Sequence, residues 1–189
     1  MCKECNTNPV YEFTNKRKLC KKCFIKYFQK KILYTVRRFE MLRKDEVIGY
    51  EHKPDFRSVV LEDILKIFGE KWIVELVELP SKKEIDKIAI ASTIDLESGK
   101  IVHEIIKGDI RKLNAKPVDR KVIKPLYLFL DEEVLLYAKL RKLKFKKGKV
   151  KEDEIGKFIN ELEIKHPEVK RAIVNGYLEL FPITPTKKK

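Results

Sequence analysis

The sequence lacks any apolar run close to the length of about 20 residues that a membrane-spanning helix requires. It also lacks the charged, apolar and small-residue segments of a secretory leader, so we expect a cytoplasmic protein without a membrane partner. Hydrophobic residues make up 43% of the chain and charged residues 38%, a balance that favours a globular rather than a disordered protein. The net charge of +14 favours a polyanionic partner such as RNA or DNA.

No cysteine follows residue 23, and all four cysteines form two C-x₂-C pairs, Cys2 with Cys5 and Cys20 with Cys23. Fourteen residues separate the pairs, and this spacing is typical of a tetrahedral site with four thiolate ligands. The loop between the pairs is too polar to form a core, so metal binding is expected to drive its folding. We expect structural zinc. Iron would use the same ligands, and two disulfides are the alternative in an oxidising compartment.

A helix is predicted directly after the second cysteine pair. Apolar residues recur there at steps of three and four, from Phe24 to Leu42. The candidate RNA-binding residues of this helix are Lys22, Lys26, Lys30, Arg37 and Arg38. The first four lie on another side of the helix, with Lys31 and Arg38 beside them. Such a cationic ridge can contact phosphates, but lysines also commonly solvate the outer face of a helix. The sequence does not separate these two roles.

Strands alternate with helices up to Leu128, and only helices follow, which predicts a parallel α/β sheet with a helical C-terminal part. We expect three segments: a zinc knuckle with its basic helix (1–42), an α/β domain (43–130) and C-terminal helices (131–189). The predicted strands are Glu46–Tyr50, Trp72–Leu79, Lys87–Ser92 and Val122–Leu128. The predicted helices cover Ser58–Phe68, a short segment from Ser81, Leu96–Ile110, Asp131–Leu140, Lys151–Ile164 and a last helix that opens at Pro167 and finishes with Ala172–Phe181.

Ligands of parallel α/β sheets bind beyond the carboxyl ends of the strands, so the segment Glu51–Ser58 is the first place to look for a nucleotide site. A phosphate cradle there needs glycines that let backbone N–H groups approach the anion. This segment contains no glycine, and Glu51 and Asp55 would repel phosphate. Lys53 and Arg57 could still contact an anion.

The chain resembles the tRNA 2-thiouridine sulfurtransferases, PP-loop ATPases with an N-terminal zinc finger. The resemblance rests on the cysteine pairs and the helix after them and on several later segments: Ser58–Leu65, Ala89–Asp109, Ile123–Tyr127, Glu133–Ala138, Phe158–Glu163 and Lys165–Pro167. It implies a truncated α/β domain of the parallel-sheet PP-loop type (adenine nucleotide alpha hydrolase-like), preceded by the knuckle and followed by helices.

The departures from this family bear on function. When the chain is aligned with the family, Lys53–Ser58 occupies the position of the phosphate loop S-G-G-K-D-S, and only Ser58 matches. The cysteines that the family uses for sulfur chemistry are absent here, and the chain stops without the family's second zinc finger. The resemblance therefore implies a degenerate relative, similar to the non-catalytic subunit of the eukaryotic wobble-uridine thiolase, which pairs with a catalytic PP-loop homologue and binds tRNA.

Two other functions remain open at this stage. The chain could be a free-standing RNA-binding protein with a zinc knuckle and no role in thiolation. It could also be a residual ATP-binding enzyme, in which Asp95, Glu97 and Asp109 hold Mg²⁺ and Arg57 replaces the missing lysine. Against this last possibility, Asp95 could simply cap a helix and Gly108–Asp109 could form a turn.

Overall fold

The computed structural model of the chain describes residues 1–108, 113–146 and 154–182. Within these ranges the strands are β1 (Tyr11–Glu12), β2 (Lys18–Leu19), β3 (Val47–Glu51), β4 (Glu75–Leu79), β5 (Lys87–Ala89), β6 (Val118–Asp119) and β7 (Val122–Ile123). The helices are α1 (Lys21–Arg38), α2 (Phe56–Trp72), α3 (Ile94–Ile106), α4 (Asp131–Leu140), α5 (Glu154–Lys165) and α6 (Val169–Leu180).

The central sheet has five strands in the order β4-β3-β5-β7-β6. Strand β3 pairs in parallel with β4 and β5, and β5 pairs in parallel with β7, whereas β6 and β7 are antiparallel. Helix α2 connects β3 to β4, and α3 follows β5, as crossover connections expected of a parallel sheet, whereas β4 leads to β5 through a loop. The predicted α/β class with C-terminal helices is therefore confirmed.

The strand predicted over Val122–Leu128 is too long, since β7 contains only Val122 and Ile123. Pro125 also predicts that this segment is extended or lies at the edge of the sheet, whereas β7 is paired on both sides. Pro125 cannot donate to a ladder, and the chain turns there, with the Tyr127 amide donating to the Lys124 carbonyl at 3.1 Å. The turn directs Leu126, Tyr127 and Phe129 into the core, which explains the apolar run that suggested a strand.

Three helix predictions also need correction. Helix α2 continues through Trp72, so the next strand starts at Glu75 rather than at Trp72. No helix forms after Ser81, whose hydroxyl only accepts a hydrogen bond from the Lys83 amide within a bend. Helix α3 ends at Ile106 rather than Ile110, because Gly108 adopts a positive φ of 72° that terminates the helix. Residues 109–110 of that predicted helix, and residues 151–153 of the helix predicted over Lys151–Ile164, lie outside the described residues.

Helix α1 is anchored in the main core by the apolar face that the sequence predicted, but the helix ends at Arg38 rather than at Leu42, and Glu40 just beyond it has a positive φ of 48°. Phe24, Phe28, Ile32 and Val36 are buried, and the ring of Phe28 stacks on that of Tyr137 in α4 with centroids 4.1 Å apart. The same core cluster runs from Cys2 and Leu19 in the knuckle to Ala138. The division at residues 42 and 130 stays a prediction, and the core crosses both positions.

A second apolar cluster joins α3 to α6 through Ile94, Ile101, Val174 and Tyr177. Helix α5 packs against both of these helices. Among the helices of residues 1–108, 113–146 and 154–182, none combines the length and the apolar character needed to cross a bilayer.

Candidate functional site

The β1–β2 hairpin and the start of α1 bring the four cysteines together. Their Sγ atoms all lie within 4.8 Å of one another, and Cys5 Sγ lies 3.4 Å from that of Cys20 and 3.6 Å from that of Cys23. A tetrahedral ion with metal–sulfur bonds of about 2.3 Å requires sulfur–sulfur separations of about 3.8 Å. The sulfurs are close to this spacing and all four thiols are free, so the set fits a metal and not two disulfides.

The surroundings of the cysteines shift the pKa values of Cys20 and Cys23 in opposite directions. Cys2 and Cys20 are buried, whereas Cys5 is exposed. Hydrogen bonds from the Thr7 hydroxyl and from the backbone amide of Cys23 lower the pKa of Cys20 to about 6, whereas the hydrogen bond with the Cys5 side chain raises the pKa of Cys23 to about 12. A thiolate is the form that binds metal, so Cys20 is the thiol that deprotonates most readily to receive a cation.

Asp55 closes the N-terminus of α2, the place at which a parallel α/β fold would receive phosphate. The Asp55 carboxylate accepts hydrogen bonds from the backbone amides of Arg57 at 3.0 Å and Ser58 at 3.2 Å. Its second oxygen accepts the Ser58 hydroxyl at 2.7 Å. The amides that would face an anion at a helix N-terminus are thus occupied by a carboxylate of the chain itself.

The two cationic residues of this segment also have partners. The Arg57 guanidinium forms a two-point ion pair with Asp131 at the start of α4, in which Nε lies 2.7 Å from Oδ1. The Lys53 ammonium contacts the Glu51 carboxylate. Of the three residues predicted for a degenerate nucleotide loop, Ser58 and Arg57 are therefore held by carboxylates inside the fold, and Lys53 pairs at the surface.

A cavity of about 310 Å³ lies beside this loop, between the start of α2 and the end of β5. Its wall combines apolar residues, such as Leu61, Ala89 and Leu96, with the carboxylates of Glu51 and Asp55. The cavity lies beyond the carboxyl ends of the strands, where parallel α/β folds bind ligands, and its loop side carries Lys53 and Arg57 as well as the two carboxylates.

The carboxylates proposed to hold Mg²⁺ instead face lysine ammonium groups. Glu97 is fully buried, and its oxygens lie 2.9 Å from Lys124 Nζ and 3.0 Å from Lys100 Nζ. Asp95 accepts Lys170 Nζ at 2.6 Å and the backbone amide of Asp131 at 2.7 Å. Thr93, not Asp95, occupies the N-cap position of α3. Asp109 lies outside the described residues.

The predicted basic ridge of α1 is exposed to solvent. Lys22, Lys26, Lys30 and Arg37 lie within an arc of about 80° on the helix, opposite the buried face. None of these four makes an ion pair with any residue in the described part of the chain. Arg38 instead lies over the rings of Tyr34 and Phe39, 6.0 Å and 5.2 Å from their centroids.

Lys31, which the sequence placed beside the ridge, points into the fold. Its ammonium lies 3.3 Å from the fully buried Glu133 carboxylate and 4.3 Å from the centroid of the Phe129 ring. Burial lowers the pKa of Lys31 to about 8 even though Glu133 opposes the shift. Lys31 therefore joins α1 to α4 and is not a surface cation.

Sequence reasoning missed three residues that shape these sites. It treated Asp55 only as a repulsive charge, although an Asp directly before an apolar periodic run is a sign of a helix N-cap. It assigned nothing to Arg17 or to Tyr34, which line a groove beside the knuckle. The sequence also predicts that a basic loop with Lys146, Lys147 and Lys149 helps to hold tRNA. Lys146 is exposed and its amide donates to the Pro54 carbonyl at 2.6 Å, whereas Lys147 and Lys149 lie outside the described residues.

Comparison with known proteins gives a match in structure alone. No family model matches the chain, and no curated protein matches its sequence. Among solved structures, the chain is similar to the U34-tRNA thiolase NcsA from Methanococcus maripaludis with its 4Fe–4S cluster, with a TM-score of 0.75 and 21% identity. The match covers 100% of this chain and 89% of the other. The chain therefore has, over its whole length, the fold of a tRNA thiolase.

Proposed function

We propose that the chain is a non-catalytic subunit of a cytoplasmic tRNA thiolation complex. It would bind a catalytic PP-loop homologue and tRNA, and assist 2-thiolation of the wobble uridine. One observation carries this proposal: on the fold of a tRNA thiolase, the helix N-terminus that would receive the nucleotide phosphates is capped by the chain's own Asp55.

The electrostatics of the loop support loss of nucleotide binding. A pyrophosphate needs free backbone N–H groups, usually with a lysine or arginine. Here Asp55 occupies the amides, Asp131 holds Arg57, and Glu51 lies near Lys53. A phosphate that entered would have to displace a carboxylate from hydrogen bonds that already satisfy the helix end.

The distribution of sulfur supports the same conclusion. All four cysteines of the sequence belong to the N-terminal cluster, which is held together by the knuckle. A thiol that carries sulfur must be accessible near the nucleotide, and the sequence offers none there. Thiolation chemistry would therefore belong to the partner subunit.

We propose zinc as the ion of the cysteine cluster. The sulfur spacing fits one tetrahedral ion, and Cys2 and Cys20 are buried in the way expected of a closed structural site. Elemental analysis of the purified protein should find about one zinc per chain. Iron with sulfide, accompanied by the visible absorption of an iron–sulfur cluster, would contradict zinc.

Two surfaces offer places for the two partners. The exposed cations of α1 suit the phosphates of tRNA. Exposed apolar side chains on the mutually packed helices α3, α5 and α6 suit the catalytic homologue; Ile164 is 83% exposed and Leu180 is 78% exposed. We expect these two surfaces to act independently.

Affinity purification from the native cell tests the proposal. The tagged wild-type chain should recover a PP-loop enzyme and tRNA, identified by mass spectrometry and RNA sequencing. Recovery of the enzyme should persist after nuclease treatment, because the contact is between proteins. Ile164→Asp with Leu180→Asp should lose the enzyme and keep tRNA, whereas Lys26→Ala with Lys30→Ala should weaken tRNA recovery only. Recovery of neither enzyme nor tRNA by the wild type would refute the proposal.

A further inference from the structure

A groove lies between the knuckle and α1, with a volume of about 580 Å³. We name it the knuckle groove and define it by Arg17, Lys26, Tyr27, Lys30 and Tyr34. Lys26, Tyr27, Lys30 and Tyr34 are spaced by one, three or four residues along α1, so they form one side of the helix, while Arg17 reaches over from the hairpin. The groove thus has a cationic edge and an aromatic edge.

Arg17 is positioned with unused hydrogen-bonding capacity. Its guanidinium carbon lies 5.7 Å and 5.5 Å from the ring centroids of Phe13 and Tyr27, and one terminal nitrogen contacts Glu4 at 3.2 Å. Its Nε is buried and has no hydrogen-bond partner among the residues described. The side chain as a whole is 33% exposed and only one of its terminal nitrogens is paired, so the outer part of the guanidinium can contact an anion in the groove.

The aromatic edge ends at Tyr34, which is 57% exposed although it is a large ring. The guanidinium of Arg38 lies 6.0 Å from its centroid and keeps a cation against the ring. Exposed aromatic rings beside a positively charged groove are the usual platform for unpaired bases, because every base has a face that can stack. A base paired within a helix could not reach such a ring.

We propose that the knuckle groove binds one unpaired nucleotide of tRNA, with its base stacked on Tyr34 and its flanking phosphates held by Lys26, Lys30 and Arg17. This inference rests on the proposed function, because it takes tRNA as the partner and specifies the part of it that is bound. The two edges of the groove have different roles. The lysines attract the phosphates, and Tyr34 distinguishes single-stranded from paired RNA.

The two contributions can be separated by affinity and by salt dependence. Binding of the full-length, metal-loaded protein is measured by fluorescence anisotropy with unfractionated tRNA and with a fully paired RNA duplex. Tyr34→Ala should weaken binding to tRNA about tenfold or more, with an unchanged salt slope, and should abolish the preference for tRNA over the duplex. Tyr34→Phe, which keeps the ring, is the matched control and should bind like the wild type.

Lys26→Ala with Lys30→Ala should weaken binding to both RNAs and reduce the salt slope by about 2. All these positions are exposed, and thermal melting with metal analysis checks that each variant is folded.

Unchanged tRNA binding by Tyr34→Ala would overturn the inference while leaving the proposed function intact. If tRNA binding depends on Tyr34 but affinity purification recovers no thiolase partner, the inference about the knuckle groove is supported and the proposed function is refuted. A wild type that does not bind tRNA would refute both.

Discussion

At the scale of single residues, Asp55 shows how one carboxylate changes what a helix N-terminus can do. The partial positive charge at the start of α2 stabilises a nearby anion. In this chain the anion is covalently part of the protein, and it also fixes the Ser58 hydroxyl. The same electrostatic feature that would bind a nucleotide therefore stabilises the fold.

Lys31 gives a prediction on pH. Its pKa in the folded protein is about 8, whereas the ordinary value is 10.5. Between these values the unfolded chain binds more protons at this side chain, so the free energy of unfolding contributed by Lys31 rises with pH. From pH 8 to 10 the wild type should gain stability over Lys31→Gln by about 1 kcal/mol per pH unit.

Urea denaturation followed by circular dichroism at several pH values measures this difference. Lys30→Gln is the matched control, because Lys30 is exposed and makes no ion pair with any residue in the described ranges. Its stability relative to the wild type should not change over the same pH range. If the difference in free energy of unfolding between the wild type and Lys31→Gln stayed constant with pH, burial would not lower the pKa of Lys31.

Residue roles were predictable from sequence where covalent chemistry limits the choice. The cysteine spacing identified the cluster because thiolates at a C-x₂-C turn have few alternatives. The roles of the lysines were harder to predict. Lys30 and Lys31 are adjacent in the sequence, yet Lys30 faces solvent whereas Lys31 forms an ion pair with Glu133 in α4. That difference depends on a contact across 102 residues, which local pattern does not contain.

At the scale of elements, the knuckle has too little hydrogen bonding to be stable alone. Strands β1 and β2 contain two residues each, and an isolated hairpin is marginal in water. Its apolar residues contact the main core through Leu19 and Phe24. Metal binding and packing on α1 must together hold it.

Metal removal should therefore destabilise the knuckle and the helix that begins in it. A strong chelator should lower the melting temperature of the wild type and expose the segment 1–24 to hydrogen exchange, while the sheet exchanges later. Cys5→Ser should behave like the chelated protein, and Ser98→Ala, remote from the knuckle, should retain the metal. An unchanged melting temperature after verified metal loss would contradict this account of the knuckle.

The end of α2 carries a residue in an unfavourable conformation. Ile73 has a φ of 54° and a ψ of 46°, the left-handed region that a β-branched side chain rarely adopts. Its side chain is 63% exposed, so little packing would be lost by truncation. Ile73→Gly should raise the free energy of unfolding by about 1 kcal/mol.

Chemical denaturation measures this change, and Ile73→Val serves as the control because it keeps the β-branch. The valine variant should be close to the wild type in stability. A less stable glycine variant would mean that the Ile73 side chain contributes more through packing than it costs in backbone strain.

Element boundaries show where sequence patterns lose information. The long periodic face of α1 was predicted because many residues agree, and the parallel sheet was predicted from the alternation of element types. The helix after Ser81 was predicted from a capping pattern of four residues, and too few residues support it before the chain enters β5. Short patterns of this kind are decided by tertiary contacts.

At the scale of the whole molecule, the segments that carry the thiolase resemblance include a set of buried ion pairs. Glu97 meets Lys124, and Glu133 meets Lys31 and Arg171. Removing one partner of a buried pair leaves a charge uncompensated and strongly destabilises a protein. Similarity in these segments therefore indicates a common scaffold. The sequence departs from the family in the nucleotide loop and in the cysteines used for sulfur chemistry, and these are the features on which activity depends.

The central claim is that this chain keeps a thiolase fold in which the nucleotide site is closed by Asp55. Isothermal titration of the full-length, metal-loaded protein with ATP and Mg²⁺ tests that claim most directly. The account predicts no saturable binding even at millimolar ATP. Saturable binding of ATP in the micromolar range would contradict it.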